Sequence, residues 1–97
     1  MSEEKNERLH ALIDGRVQGV GFRYFVLDKA HALNLTGWVR NVNYDQVEVK
    51  AEGTRENLEM LLKYLHRGPA AAAVTSVDFS FENATGEFDH FTVAFDV

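Results

Sequence analysis

The 97-residue sequence contains no cysteine. That excludes a disulfide framework, a thiolate nucleophile and a cysteine zinc cluster, and it fits a reducing compartment. No apolar run approaches the roughly 20 residues that a membrane-spanning helix needs. The stretch Met1 to Glu7 has neither a basic n-region nor an apolar h-region, so it does not read as a secretory signal. Basic residues are the minority charge: 10 Lys and Arg stand against 15 Asp and Glu, a formal charge of -5. A general nucleic-acid or anionic-membrane binder needs an electropositive face that this balance does not supply. A small, local anion site stays open. The histidines His10, His31, His66 and His90 are scattered over different elements, without the i, i+4 spacing of a helical metal pair, so no metal site is expected.

What is present suffices for one core. Apolar residues make up 45% of the chain, and at this size folding buries roughly 60 to 65% of the unfolded surface. With no repeat, low-complexity tract or internal linker, the expectation is a frayed tail over residues 1–7 and a single domain over residues 8–97, a monomer in the cytoplasm.

Period-two alternation over Leu9 to Asp14 predicts a first strand. Helical spacing of Phe22, Phe25, Val26, Lys29, Ala30 and Leu33 predicts a helix, with Asn34 just beyond its end. Thr36 to Val42 and Gln46 to Glu52 read as a hairpin around Asn43-Tyr44-Asp45. Thr54 caps a second helix carrying Leu58, Leu61, Leu62 and Leu65, which Gly68-Pro69 terminates. Val77, Phe79 and Phe81 mark a fourth strand, and Phe91, Val93 and Phe95 a short fifth. The order predicts an α+β, ferredoxin-like split β-α-β sandwich, βαββαβ plus a short C-terminal strand. Its antiparallel sheet would carry both helices on one face. A right-handed crossover makes the first two strands parallel, with the third between them, so Gly15–Arg23 and Arg40–Asn43 meet at one end of the sheet.

The run Gly15, Arg16, Val17, Gln18, Gly19, Val20, Gly21 and Phe22 leads from a strand directly into a helix N-terminus. Such a turn can aim several backbone N–H groups at one anion, with the helix dipole adding positive potential. It is neither a Walker loop nor a dinucleotide fingerprint. The plainer alternative is a tight turn that needs positive φ. Arg23 sits in the first helical turn, where a cation opposes the dipole and calls for a partner. A phosphate held by the guanidinium fork would be one, and an acid such as Asp14 another. Asn41 is an unusual strand residue whose amide suits the holding of a water molecule; alternatively, it begins the hairpin turn. Arg16 and Arg40 add positive charge near the same edge.

GRVQGVGFR over Gly15–Arg23, GWVRN over Gly37–Asn41, VEVKAEG over Val47–Gly53 and the later Gly68-Pro69 closely resemble acylphosphatases along almost the whole chain beyond the tail. The resemblance implies metal- and cofactor-independent hydrolysis of small acyl phosphates to a carboxylate and inorganic phosphate, the latter also a competitive inhibitor. It implies that Arg23 binds the phosphate together with the amides of residues 15–22, and that Asn41 positions the attacking water. The motifs hold no strong general base, so the substrate phosphate is a candidate acceptor of the water's proton. The family's usual Asp-Gly hairpin turn is replaced here by Asn43-Tyr44-Asp45-Gln46, and Ala70–Ala73 stand where a second proline and an arginine usually follow Gly68. Larger proteins with a similar unit read Phe-Arg-Pro-Phe where this chain reads Phe22-Arg23-Tyr24-Phe25. An RNA-binding sheet of this fold would need aromatic residues in a basic strand, which Val47–Glu52 lacks.

Overall fold

Alternation of Leu9, Ala11 and Ile13, and of Val47, Val49 and Ala51, puts one apolar face on each of two neighbouring strands, and both faces are buried. In the computed structural model, which describes residues 5–97, seven elements follow in order. They are β1 (Asn6–Arg16), α1 (Phe22–Ala32), β2 (Thr36–Val42), β3 (Gln46–Thr54), α2 (Arg55–Arg67), β4 (Ala73–Asn83) and β5 (Phe91–Val93). The helices pack on the apolar face through Phe22, Val26 and Ala30 of α1 and Leu58, Leu61 and Leu65 of α2. Thr54 Oγ1 accepts the Asn57 N–H at 3.2 Å, capping α2. Asn34 takes φ 56° after α1, satisfying the helix end from the left-handed region.

Sheet order is β4-β1-β3-β2-β5. As expected, β1 and β2 are parallel, with β3 antiparallel between them. The strands run longer than the alternation indicates: β1 takes in Asn6 and Glu7, placed in the tail by sequence, because they pair with Thr54 and Gly53. Residues 1–4 of the expected tail lie outside the described residues.

The sheet is mixed, not wholly antiparallel, because β5 pairs parallel to β2. Connector 84–90 crosses the end of the sheet at which β2 starts, so β5 enters beside β2 in the same direction. A buried carboxylate fixes that crossing: Glu52 accepts the N–H groups of Thr85 at 2.9 Å and Gly86 at 3.0 Å, and pairs with Arg8. Phe95 departs from its expected inward place in the fifth strand and is 94% exposed. Ala94 N–H donates to the Val39 carbonyl, but it is Val97 N–H, not that of Asp96, that donates to Asn41. Three residues of the C-terminal segment therefore span two of β2, and the extra residue turns Phe95 outward. Among the described residues, no helix is long and apolar enough to cross a membrane.

Candidate active site

The loop between β1 and α1 is pinned at both ends by core residues, Val17 and Phe22, each about 1% exposed. Between them, Gly19 and Gly21 adopt φ 72° and 78°, and a Cβ at either would meet nothing within 4 Å. Both glycines thus border open space. Helix α1 begins after Gly21 with no side-chain cap and no acidic residue in its first turn. Its leading N–H groups and positive dipole end are left for an external acceptor.

The candidate amides divide into two groups. Gly15 and Arg16 belong to β1 and lie against Val74 and Ala73 of β4, and the Val17 N–H donates to the Gly15 carbonyl at 3.0 Å. Gln18 to Phe22 form the open arch. No backbone hydrogen bond outside the helices and strands takes a donor from Gln18, Gly19, Val20 or Gly21 among the described residues.

Gln18 contributes through its side chain, a role the sequence reading did not assign. Its Nε2 donates to the carbonyls of Gln46 at 2.9 Å, Val42 at 3.2 Å and Asn43 at 3.4 Å. This fastens the loop to the β2–β3 hairpin, so Gly15–Arg23 and Arg40–Asn43 do meet at one end of the sheet. No local signal marks this role, because its three acceptors lie 24 to 28 positions away in sequence.

Arg23 extends from the first turn of α1, and its Nη1 lies 3.3 Å from Asp96 Oδ1. Asp14 is engaged elsewhere, by Gln46 Nε2 at 2.9 Å and Ser76 at 3.4 Å. The Arg23–Asp96 pair is largely solvated on the Asp96 side, the kind of contact worth little in water, so an incoming phosphate can displace it.

Asn41 is 8% exposed on the helix-facing side of β2. Its backbone carbonyl is used by Val97, yet its side-chain Oδ1 is buried with no hydrogen-bond partner. A buried amide oxygen is normally satisfied, so an unpaired one beside an open anion loop is an acceptor suited to a water or ligand donor. The turn-forming role belongs to Asn43, at φ 55°.

Arg40, adjacent to Asn41 in a strand, points to the opposite face. There it pairs with Glu48 at 2.8 Å and stacks over Trp38 with its guanidinium carbon 4.6 Å from the ring centroid. Burial alone would raise the Glu48 pKa, but hydrogen bonds from His10 and Arg40 outweigh it and hold the carboxyl below its ordinary value. Arg16 is exposed at the end of β1. His10, His31 and His66 bond to Glu48, the Phe91 carbonyl and the Leu62 carbonyl respectively. No group of three or more His, Asp and Glu side chains that could hold a metal ion occurs among the described residues.

Comparison with known proteins identifies the family and the fold. The acylphosphatase family model matches residues 9–93. An acylphosphatase of Methylococcus capsulatus is 47% identical over 91 residues, 94% of this chain and 99% of that one. An acylphosphatase of Salinibacter ruber is 43% identical over 93 residues, covering 96% and 98%. The crystal structure of acylphosphatase from Bacillus subtilis superposes with a TM-score of 0.87 at 33% identity, covering 91% of this chain and 98% of that one.

Proposed function

The chain belongs to the acylphosphatase family, and on that premise we propose that Arg23 and the Gln18–Phe22 amides bind the phosphoryl group while Asn41 places the attacking water. As an acylphosphatase it hydrolyses the carboxyl–phosphate bond of acyl phosphates to a carboxylate and inorganic phosphate. The observation that carries the residue assignment is the buried, unpaired Asn41 Oδ1, held at the same end of the sheet as the open glycine loop.

An acyl phosphate is an activated mixed anhydride with a good leaving group, so the protein chiefly positions water and stabilises charge on the phosphoryl oxygens. Asn41 Oδ1 accepts one hydrogen of the water. The water oxygen forms the new bond to phosphorus as the bond to the acyl oxygen breaks, and that electron pair leaves on the carboxylate. The water's proton passes to a phosphoryl oxygen of the substrate, since Asp14 is held by Gln46 and Ser76. The Arg23 fork and loop amides hold the equatorial oxygens.

In this reading the reaction needs no metal or cofactor, and inorganic phosphate inhibits competitively because it fits the same loop. The reading is of a monomeric enzyme built as a single domain from β1 to the C-terminal segment, with the loop, Arg23 and Asn41 gathered at one end of one sheet. The lack of cysteine supports a cytoplasmic setting.

The test is hydrolysis of benzoyl phosphate in EDTA by the wild type, Arg23→Gln and Asn41→Ala. The wild type is expected to be active. Arg23→Gln should lose phosphate inhibition and most of its rate, and Asn41→Ala should lose rate with the fold retained. Full activity in either variant removes the role given to that residue.

A further inference from the structure

The phosphate loop and Arg23 account for one half of the substrate, and the acyl half needs a seat within two bonds of the phosphorus. Arg23 forms one wall of an open depression of about 730 Å³, whose other lining residues are Thr92, Val93, Ala94, Phe95 and Asp96. Much of that wall is apolar. The one-residue slip against β2 makes Phe95 its most prominent feature, since it leaves the ring 94% exposed. The Asp96 carboxylate closes the same wall 3.3 Å from the Arg23 guanidinium and is itself more than half exposed.

We propose that the C-terminal segment Val93–Asp96 selects the acyl group, Phe95 serving as a platform for flat apolar acyl chains and Asp96 turning away those that carry a second carboxylate. The inference rests on the phosphoryl site proposed above. With the phosphoryl group in the loop and on Arg23, the acyl substituent emerges beside the guanidinium, where this wall stands. A flat ring gains an offset or edge contact with Phe95 that a methyl group cannot make. A second carboxylate on the acyl chain meets the like charge of Asp96, and two such charges about 4 Å apart in a wet site correspond to a discrimination of about 5-fold. Asp96 also neutralises part of Arg23, an effect on phosphate binding common to every substrate. The ratio of kcat/KM between two substrates cancels that shared effect and isolates acyl recognition.

The experiment measures kcat and KM of the full chain for benzoyl, acetyl and succinyl phosphate in wild type, Phe95→Ala, Asp96→Asn and Asp96→Lys. Phe95→Ala is expected to lower the benzoyl-to-acetyl ratio of kcat/KM by about 3- to 10-fold, chiefly through KM for benzoyl phosphate. Asp96→Asn should raise the succinyl-to-acetyl ratio about 5-fold, and Asp96→Lys should raise it further. Ratios that stay constant while all rates rise or fall together would overturn the proposal and leave Asp96 only a partner of Arg23. If the wild type hydrolyses none of the three substrates in EDTA, the phosphoryl-site reading fails as well. Hydrolysis of all three with unaltered ratios removes the acyl wall alone.

Discussion

The Gln18 side-chain amide donates to the Gln46 carbonyl at 2.9 Å, joining the glycine loop to the far side of the hairpin that follows Asn41. One neutral side chain thus ties the glycine loop to the hairpin beside Asn41. Gln18→Ala is expected to lower kcat for acyl phosphates about tenfold while changing KM less, because the lost contacts orient groups and do not grip substrate. Gln18→Glu should be worse, since a carboxylate cannot donate to carbonyls and brings negative charge to an anion site. Steady-state kinetics beside thermal unfolding checks this. A large fall in melting temperature matching the fall in rate would reduce Gln18 to a structural part.

The glycines separate by position. A Cβ at Gly15 would collide with the backbone carbonyl of Ala73, where β1 presses against β4 at φ 127°. Gly19 and Gly21 face open space. Gly19→Ala and Gly21→Ala should cost only the left-handed strain of about 1 to 2 kcal/mol but, with the loop amides as the proposed phosphate ligands, cut phosphate inhibition strongly, because a Cβ disfavours the positive φ that sets the direction of those amides. Gly15→Ala should lose more stability than either. Denaturant unfolding and inhibition by inorganic phosphate, measured on all three, distinguish the two patterns.

How much of this was legible depended on whether the cause was local. The Thr54 cap, the Gly68 stop and the Val47, Val49 and Ala51 alternation act within a few residues, and their elements appear where expected. Phe95 also alternates with Phe91 and Val93, but its direction is decided by a slip against Asn41, 54 positions earlier. The parallel setting of β5 depends likewise on the Glu52 clamp across the connector. At the site, Arg23 and Asn41 could be singled out because each breaks a local preference. Gln18 and Asp96 break none, and their roles emerge only from distant partners. Arg40 carried its own signal: neighbours in a strand face opposite ways, so it could not share the side occupied by Asn41.

Arg8 and Glu52 form a pair in which both side chains are nearly inaccessible, at the end of the sheet away from the glycine loop. Arg8 also contacts Thr85 at 2.7 Å and Glu87. Arg8→Ala leaves a buried carboxylate without its cation. The expected loss is about 3 kcal/mol, the lower end for breaking such a pair, because the Thr85 and Gly86 N–H groups still hold Glu52. For a domain of this size that is a drop of roughly 12 to 24 °C in melting temperature, readable by circular dichroism.

The same carboxylate gives folding a pH dependence. Burial alone would raise the Glu52 pKa, but the N–H groups of Thr85 and Gly86, followed by Arg8 and the Thr85 hydroxyl, hold it below the ordinary 4.5. A folded value below the unfolded one means that the contribution is fully present above about 4.5 and disappears as the pH falls through the folded value. Glu48, lowered in the same sense, adds to the slope. Urea unfolding at a series of pH values should show stability declining below pH 4.5, and Glu52→Gln should be less stable at neutral pH with a flatter acid limb. A variant with the wild-type acid slope would assign the dependence to other groups.

The strand order β4-β1-β3-β2-β5 carries a kinetic consequence. β1 is flanked by β3 and β4, both of which follow it by tens of residues, and β2 completes its ladder only with β5 near the end of the chain. Pairings of such long sequence separation close slowly, on a timescale of milliseconds to seconds. The groups proposed for hydrolysis come from the β1–α1 loop and β2, with their neighbour Asp96 after β5, so no fragment of the sheet gathers them early. Regain of hydrolysis during refolding would then keep pace with the signal of Trp38, the single tryptophan, which sits on β2 between β3 and β5.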